Sequence, residues 1–297
     1  VCSAVDMVFN SSSTSSDHLV YYCSKLKSRL FISVGMASVK SVLILPLCTF
    51  ILYLGHQRWR QQRSFQAVSH SDLFTYHLAV IELFWGPGVI CYYFGTYIES
   101  KVLLIWGLYD LAIPYYGEVF FHLLTCMERY LAAVHPVIYL GLRNARGIRI
   151  RNIAIGSVWM LCFGLSGFNA DITGKTVVIA MLSVLIVSIV VITFCSISVL
   201  CVLVRPRPGG NGRQRKQINQ SKLRAFHSVT AISCVLWVWF GALFVSYALS
   251  MSLVLSESVD CVLNASVCWF NLPTSLVLPL LYLHREGKLF RKAIDSN

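Results

Sequence analysis

The chain has 297 residues, of which 56% are apolar and only 13% charged, and its mean hydropathy is +0.66. Soluble domains carry nearer a quarter charged residues, so this composition excludes a water-soluble globular protein. The net charge of +12 is spread over short connectors, with no segment long enough for an aqueous nucleic-acid-binding domain, so nucleic acid is excluded as a partner.

Residues 1–30 read as an outer tail, Ser-rich from Asn10 to Ser16, without the basic start, apolar run and small-residue site of a cleavable signal. The first apolar span is therefore expected to act as the insertion signal. Seven windows of mainly apolar residues then follow at 31–53, 73–97, 102–125, 153–168, 176–204, 225–249 and 267–283. Each is close to the roughly 20 residues that cross a bilayer as a helix. The expected fold is an all-α integral membrane bundle of seven helices over residues 31–284.

The connectors set the orientation. Arg58, Arg60 and Arg63 follow the first span, and Arg129, Arg143, Arg146, Arg149 and Arg151 lie between the third and fourth. Arg205, Arg207, Arg213, Arg215, Lys216, Lys222 and Arg224 follow the fifth, and Arg285, Lys288, Arg291 and Lys292 the last. These are 19 of the 25 basic residues, leaving six for the opposite face. Positive charge is retained on the cytoplasmic side, which predicts an amino terminus outside, a carboxyl terminus inside and contact with anionic lipid headgroups. After Tyr282, Leu289, Phe290 and Ile294 alternate with basic residues, which predicts a short amphipathic eighth helix within the cytoplasmic segment 285–297.

On the predicted outer face, Asn10 and Asn264 begin glycosylation acceptor sequences. Cys2, Cys23, Cys261 and Cys268 face an oxidising compartment there. Four cysteines allow three pairings; a bridge from the amino tail to the last outer loop is favoured over Cys261 with Cys268. The other seven cysteines fall in or beside spans, as small apolar fillers.

Ionisable residues within spans are expensive and carry information. Glu82 lies mid-span, and Glu118 and His122 stand one helical turn apart on one face. Glu82 and Glu118 come out at comparable depth. Their repulsion would be relieved by a shared proton, by a bound cation, or by hydrogen bonds to Thr274 or Ser275. No His-Glu-x-x-His, Gly-x-Ser-x-Gly or Gly-rich phosphate loop occurs, so neither enzyme chemistry nor a cofactor is expected.

Glu128-Arg129-Tyr130 ends the third span, with Pro136 seven residues after the arginine. With Leu78-Ala79-Val80-Ile81-Glu82, Trp159, the Trp239 to Gly241 segment and Leu278-Pro279-Leu280-Leu281-Tyr282, the chain resembles the class A, rhodopsin-like G-protein-coupled receptors over nearly its whole length. The resemblance implies a multi-pass plasma-membrane receptor that couples an extracellular ligand to a heterotrimeric G protein, with arrestin as a further partner. Glu128 would hold Arg129 at rest; Trp239, Gly241, Pro279 and Tyr282 would act as the activation switch; and Glu82 with Glu118 would sit where the family holds sodium. Tyr109, Leu111, Tyr115, Trp239, Phe240 and Asn271 would line the ligand pocket. Leu111 stands where amine receptors carry aspartate, which disfavours an amine, and the aromatic outer halves favour a lipid or other apolar ligand.

The departures are specific. There is no cysteine near Leu104 or in "NADITGK", no proline or tyrosine between Thr176 and Val204, no acid between Asp171 and Glu257, and Gly241 in place of the family's proline. They keep two alternatives open: a receptor-derived scaffold or scavenger that no longer couples, and a proton- or cation-coupled transporter.

Overall fold

The computed structural model describes residues 26–62, 70–142, 144–171, 175–204, 230–246, 248–249 and 256–295. Among them every regular element is helical. They are α1 (Lys27–Gln62), α2 (His70–Leu83), α3 (Trp85–Tyr97), α4 (Lys101–Val134), α5 (Pro136–Gly141), α6 (Ala145–Asp171) and α7 (Lys175–Val204). There follow α8 (Thr230–Ser246), α9 (Glu257–Val267), a 3-10 turn (Cys268–Asn271) and α10 (Leu272–Asp295).

Five helical stretches are long and apolar enough to cross a membrane: Lys27–Arg60, Asp72–Tyr97, Ala145–Gly167, Ala180–Val202 and Ser258–His284. The protein is therefore an α-helical multi-pass membrane protein. The third expected span falls on α4, which is long enough but carries Asp110 and Glu118 in its apolar stretch. The sixth falls on the shorter apolar helix α8.

Several expected boundaries move, each for a local reason. The second span breaks at Phe84, whose N–H reaches back to Ile81 at 3.0 Å. Pro87, in the first turn of α3, has no N–H to continue the α2 ladder, and its ring crowds the carbonyl four residues earlier. The seventh span starts at Glu257, ten residues before the hydropathy window, because polar Asp260 and Asn264 lower the hydropathy of a stretch that is nonetheless helical. After Tyr282 the helix continues to Asp295, so the expected amphipathic eighth helix is not a separate element. That stretch has no proline, and one glycine weakens a helix without necessarily ending it. Pro136 opens α5 at its first position, where its missing N–H would have had no helical partner.

In a bilayer, helices associate through close packing and buried polar bonds, since lipid removes most of the apolar drive between them. Gly107 illustrates the first: a Cβ there would stand 2.4 Å from the Tyr92 backbone nitrogen, so only glycine lets α3 and α4 lie this close. Gly117 likewise admits Ile81 of α2. The main apolar core gathers Tyr116, Phe121, Leu236 and Phe240 with residues of α2, α6 and α7. A second cluster, with Ile44, Cys48, Ile51, Ala79 and Tyr282, joins α1, α2 and α10.

Candidate functional site

The site is built around Lys40, midway along α1. It was counted from the sequence among the six basic residues of the opposite face, but it is buried to 2% exposure. Its Nζ lies 3.1 Å from Glu82 Oε2 and 3.5 Å from Glu118 Oε1. It also donates to Asn271 Oδ1 at 3.0 Å and sits 5.3 Å from the ring centre of Trp85. Asn271 Nδ2 donates to Glu118 Oε2, Thr274 Oγ1 to the same oxygen at 3.5 Å, and Ser275 Oγ to Glu118 Oε1 at 3.0 Å.

One ammonium and two carboxyl groups thus bind α1, α2, α4, the 3-10 turn and α10 into one node, in which Glu82, Glu118, Thr274 and Ser275 are all at most 1% exposed. The helices converge here because a polar group in an apolar interior is stable only with a partner. Pro279 leaves the Ser275 carbonyl, four residues earlier, without its helical N–H donor, which loosens the backbone beside the node.

At Glu82 and Glu118, where the resemblance implies sodium, the chain brings a cation of its own. The chain's own ammonium pairs with both acids, and a second cation would meet it at close range. Among the described residues no group of three His, Cys, Asp or Glu side chains is arranged to hold a metal. His122 lies one turn further along α4, fully buried, beside the Thr274 backbone and within electrostatic reach of Glu82.

Above the node is a cavity of about 130 Å³. Lys40, Glu118 and Asn271 form its floor, and Trp85, Tyr92, Tyr93, Tyr115 and Trp239 supply aromatic walls. Tyr115 and Trp239 meet edge to face at 5.8 Å. Of the expected pocket residues, Leu111, Tyr115, Trp239 and Asn271 line it. Phe240 is tucked beside Trp239 at 5.1 Å, outside the lining. Tyr109 packs edge-on against Trp106 at 6.1 Å instead. Tyr97, Trp106 and Trp237 face outward, between 48% and 85% exposed, in keeping with an interfacial belt.

The α1 contribution, Ser33, Met36, Ala37 and Lys40, went unseen in the sequence. A lysine inside an apolar window, in a chain with two intramembrane acids, was the available signal.

The other expected switch residues are dispersed. Tyr282 is buried, and its hydroxyl meets that of Tyr76 at 2.9 Å, a partner on α2 where the family resemblance looks to the fifth span. Among the described residues a Cβ on Gly241 would have no heavy atom within 4 Å, so none of them requires a glycine here for close packing. Trp159 donates to His77 Nδ1 at 3.2 Å, tying α6 to α2.

At the far end of α4, Glu128 does not hold Arg129. Glu128 Oε1 accepts from Tyr139 Oη at 3.2 Å, because α5 folds back beneath it. Arg129 Nε is buried without a hydrogen-bond partner among the described residues, beside Thr125, Cys126 and Ser196. Tyr130 Oη pairs with His135 Nε2 at 3.2 Å.

Asn264 is withdrawn as a glycan acceptor: it is 5% exposed and its Oδ1 accepts from Ser246 Oγ at 2.8 Å. Cys261 and Cys268 are both disulfide-bonded. They are not bonded to each other, since seven helical residues rise roughly 10 Å, beyond the reach of one disulfide. Cys2, Cys23 and Asn10 lie outside the described residues. No protein-family model and no curated protein matches the chain.

Proposed function

We propose that the chain is a plasma-membrane receptor with seven spans, amino terminus outside and carboxyl terminus inside. It converts an extracellular ligand into activation of a heterotrimeric G protein, with arrestin as a second inner partner. The observation that carries this reading is the layout of α4: Glu118 and Tyr115 floor and wall a cavity, and Arg129 lies roughly 16 Å further along the same helix. A ligand that moves the node therefore acts on the helix that presents the arginine. The cavity's aromatic walls favour an apolar body, and Leu111 offers no charge to an amine.

The experiment is nucleotide exchange on a G-protein panel in membranes expressing the chain, with and without a ligand panel, beside Arg129→Ala. Ligand-stimulated exchange should fall at least about tenfold in the variant. Because Glu128 is engaged by Tyr139 and the sixth span offers no acid, ligand-free exchange should already exceed that of Arg129→Ala; equal rates reject this weak resting lock. Ligand binding that activates neither G protein nor arrestin would replace the reading with the non-coupling scaffold, which the missing partners of Arg129 favour.

A further inference from the structure

Two carboxyl groups held together inside a bilayer require positive charge or a proton close by, and here a covalently attached group supplies the charge. An ammonium has three hydrogens to donate, and Lys40 Nζ meets three acceptor groups: Glu82 at 3.1 Å, Glu118 at 3.5 Å and Asn271 at 3.0 Å. It donates to Asn271 and pairs ionically with both acids, so its charge serves the two carboxyl groups at once, while neither Glu82 oxygen meets a hydrogen bond among the described residues. No other basic side chain occurs on α1 between Arg29 and His56.

We infer that Lys40 is a tethered cation standing where a soluble one would otherwise be needed, so that the folded bundle does not respond to sodium. The inference is independent of whether the chain couples to a G protein. It has a sharp corollary. Without the ammonium, Glu82, Glu118, Asn271 Oδ1 and Ser275 Oγ would form a cluster of oxygen donors of the kind a hard cation takes. The cavity that Lys40 itself lines would give small cations access to it.

The test is thermal unfolding of the purified full chain in lipid nanodiscs, in sodium chloride or N-methylglucamine chloride at equal ionic strength. The unsubstituted protein should unfold at the same temperature in both, within about 1 °C. Lys40→Ala in N-methylglucamine should unfold on the order of 10 °C lower, as expected when one partner of a buried ion pair is removed. Sodium should recover part of that loss saturably, and so should propylammonium, which restores the missing stem and charge. A saturable sodium rise in the unsubstituted protein overturns the inference. So does a Lys40→Ala variant indifferent to both sodium and propylammonium. Should Lys40→Ala yield no folded protein, Lys40→Met combined with Glu118→Gln lowers the uncompensated charge and carries the same comparison: a saturable sodium response supports the inference, and its absence overturns it.

Discussion

Two polar clusters share α4, eleven residues apart, and they are built to opposite specifications. Around Glu118 each acid faces the Lys40 ammonium, and Asn271, Thr274 and Ser275 converge on one carboxylate. Around Arg129 the neighbouring acid is taken by Tyr139, and the guanidinium Nε has no hydrogen-bond partner among the described residues. The first arrangement cross-links helices from distant parts of the chain, so disrupting it should unfold the bundle. The second gathers at one end of α4, against Tyr139 of α5 and Ser196 of α7, with no buried ion pair at its centre among the described residues, so disrupting it should leave the bundle standing. A network held from several sides is stability; the Arg129 cluster has fewer ties among the described residues.

The largest effect should come from Glu118→Ala, which takes one of the two acids from Lys40 and removes the carboxylate on which Asn271, Thr274 and Ser275 converge. Removing one partner of a buried ion pair costs about 3–5 kcal/mol, read as a fall in the unfolding midpoint in nanodiscs. Next is Gly107→Val, which forces a side chain against the Tyr92 backbone. Separation of α3 from α4 should cost roughly 1–3 kcal/mol or more and shrink the cavity, read as lost binding of an apolar fluorescent probe. Tyr139→Phe removes a single hydrogen bond to Glu128 and should cost about 1 kcal/mol. It also removes one competitor for the acid beside Arg129, so ligand-free nucleotide exchange should fall. Arg129→Ala should change stability least, by under about 0.5 kcal/mol, while abolishing exchange under the proposed function. If Arg129→Ala destabilised the bundle as much as Glu118→Ala, the contrast between the two clusters would collapse.

Much of this contrast was half visible in the sequence. Glu82, Glu118, Thr274 and Ser275 were legible as a group because acids inside apolar windows are rare, and their depths could be compared by counting residues. Lys40 was not, because counting charge by loop assigns every unplaced lysine to an aqueous face. Asn264 read as an exposed acceptor because a short motif carries no information about burial, whereas Ser246 on a different helix decides it. Tyr109 and Tyr115 were equivalent as aromatic residues on one helix. Six residues along a helix is 600° of rotation, or 240° net, so they point in different directions, and only the placement of α3 and α8 shows which direction is the cavity.

The sequence by itself determined that this chain is helical and spends most of its length in apolar surroundings, because composition and the length of apolar runs are local quantities. It also determined that the third apolar span runs into Glu128-Arg129-Tyr130 ahead of a basic connector. What only the tertiary structure decided is which charges meet. Lys40 lies 78 residues from Glu118 and 231 from Asn271, and nothing local to any of them specifies the others. Their meeting depends on the glycine-mediated approach of neighbouring helices and on the requirement that a charge buried away from water find its complement wherever the fold can provide it.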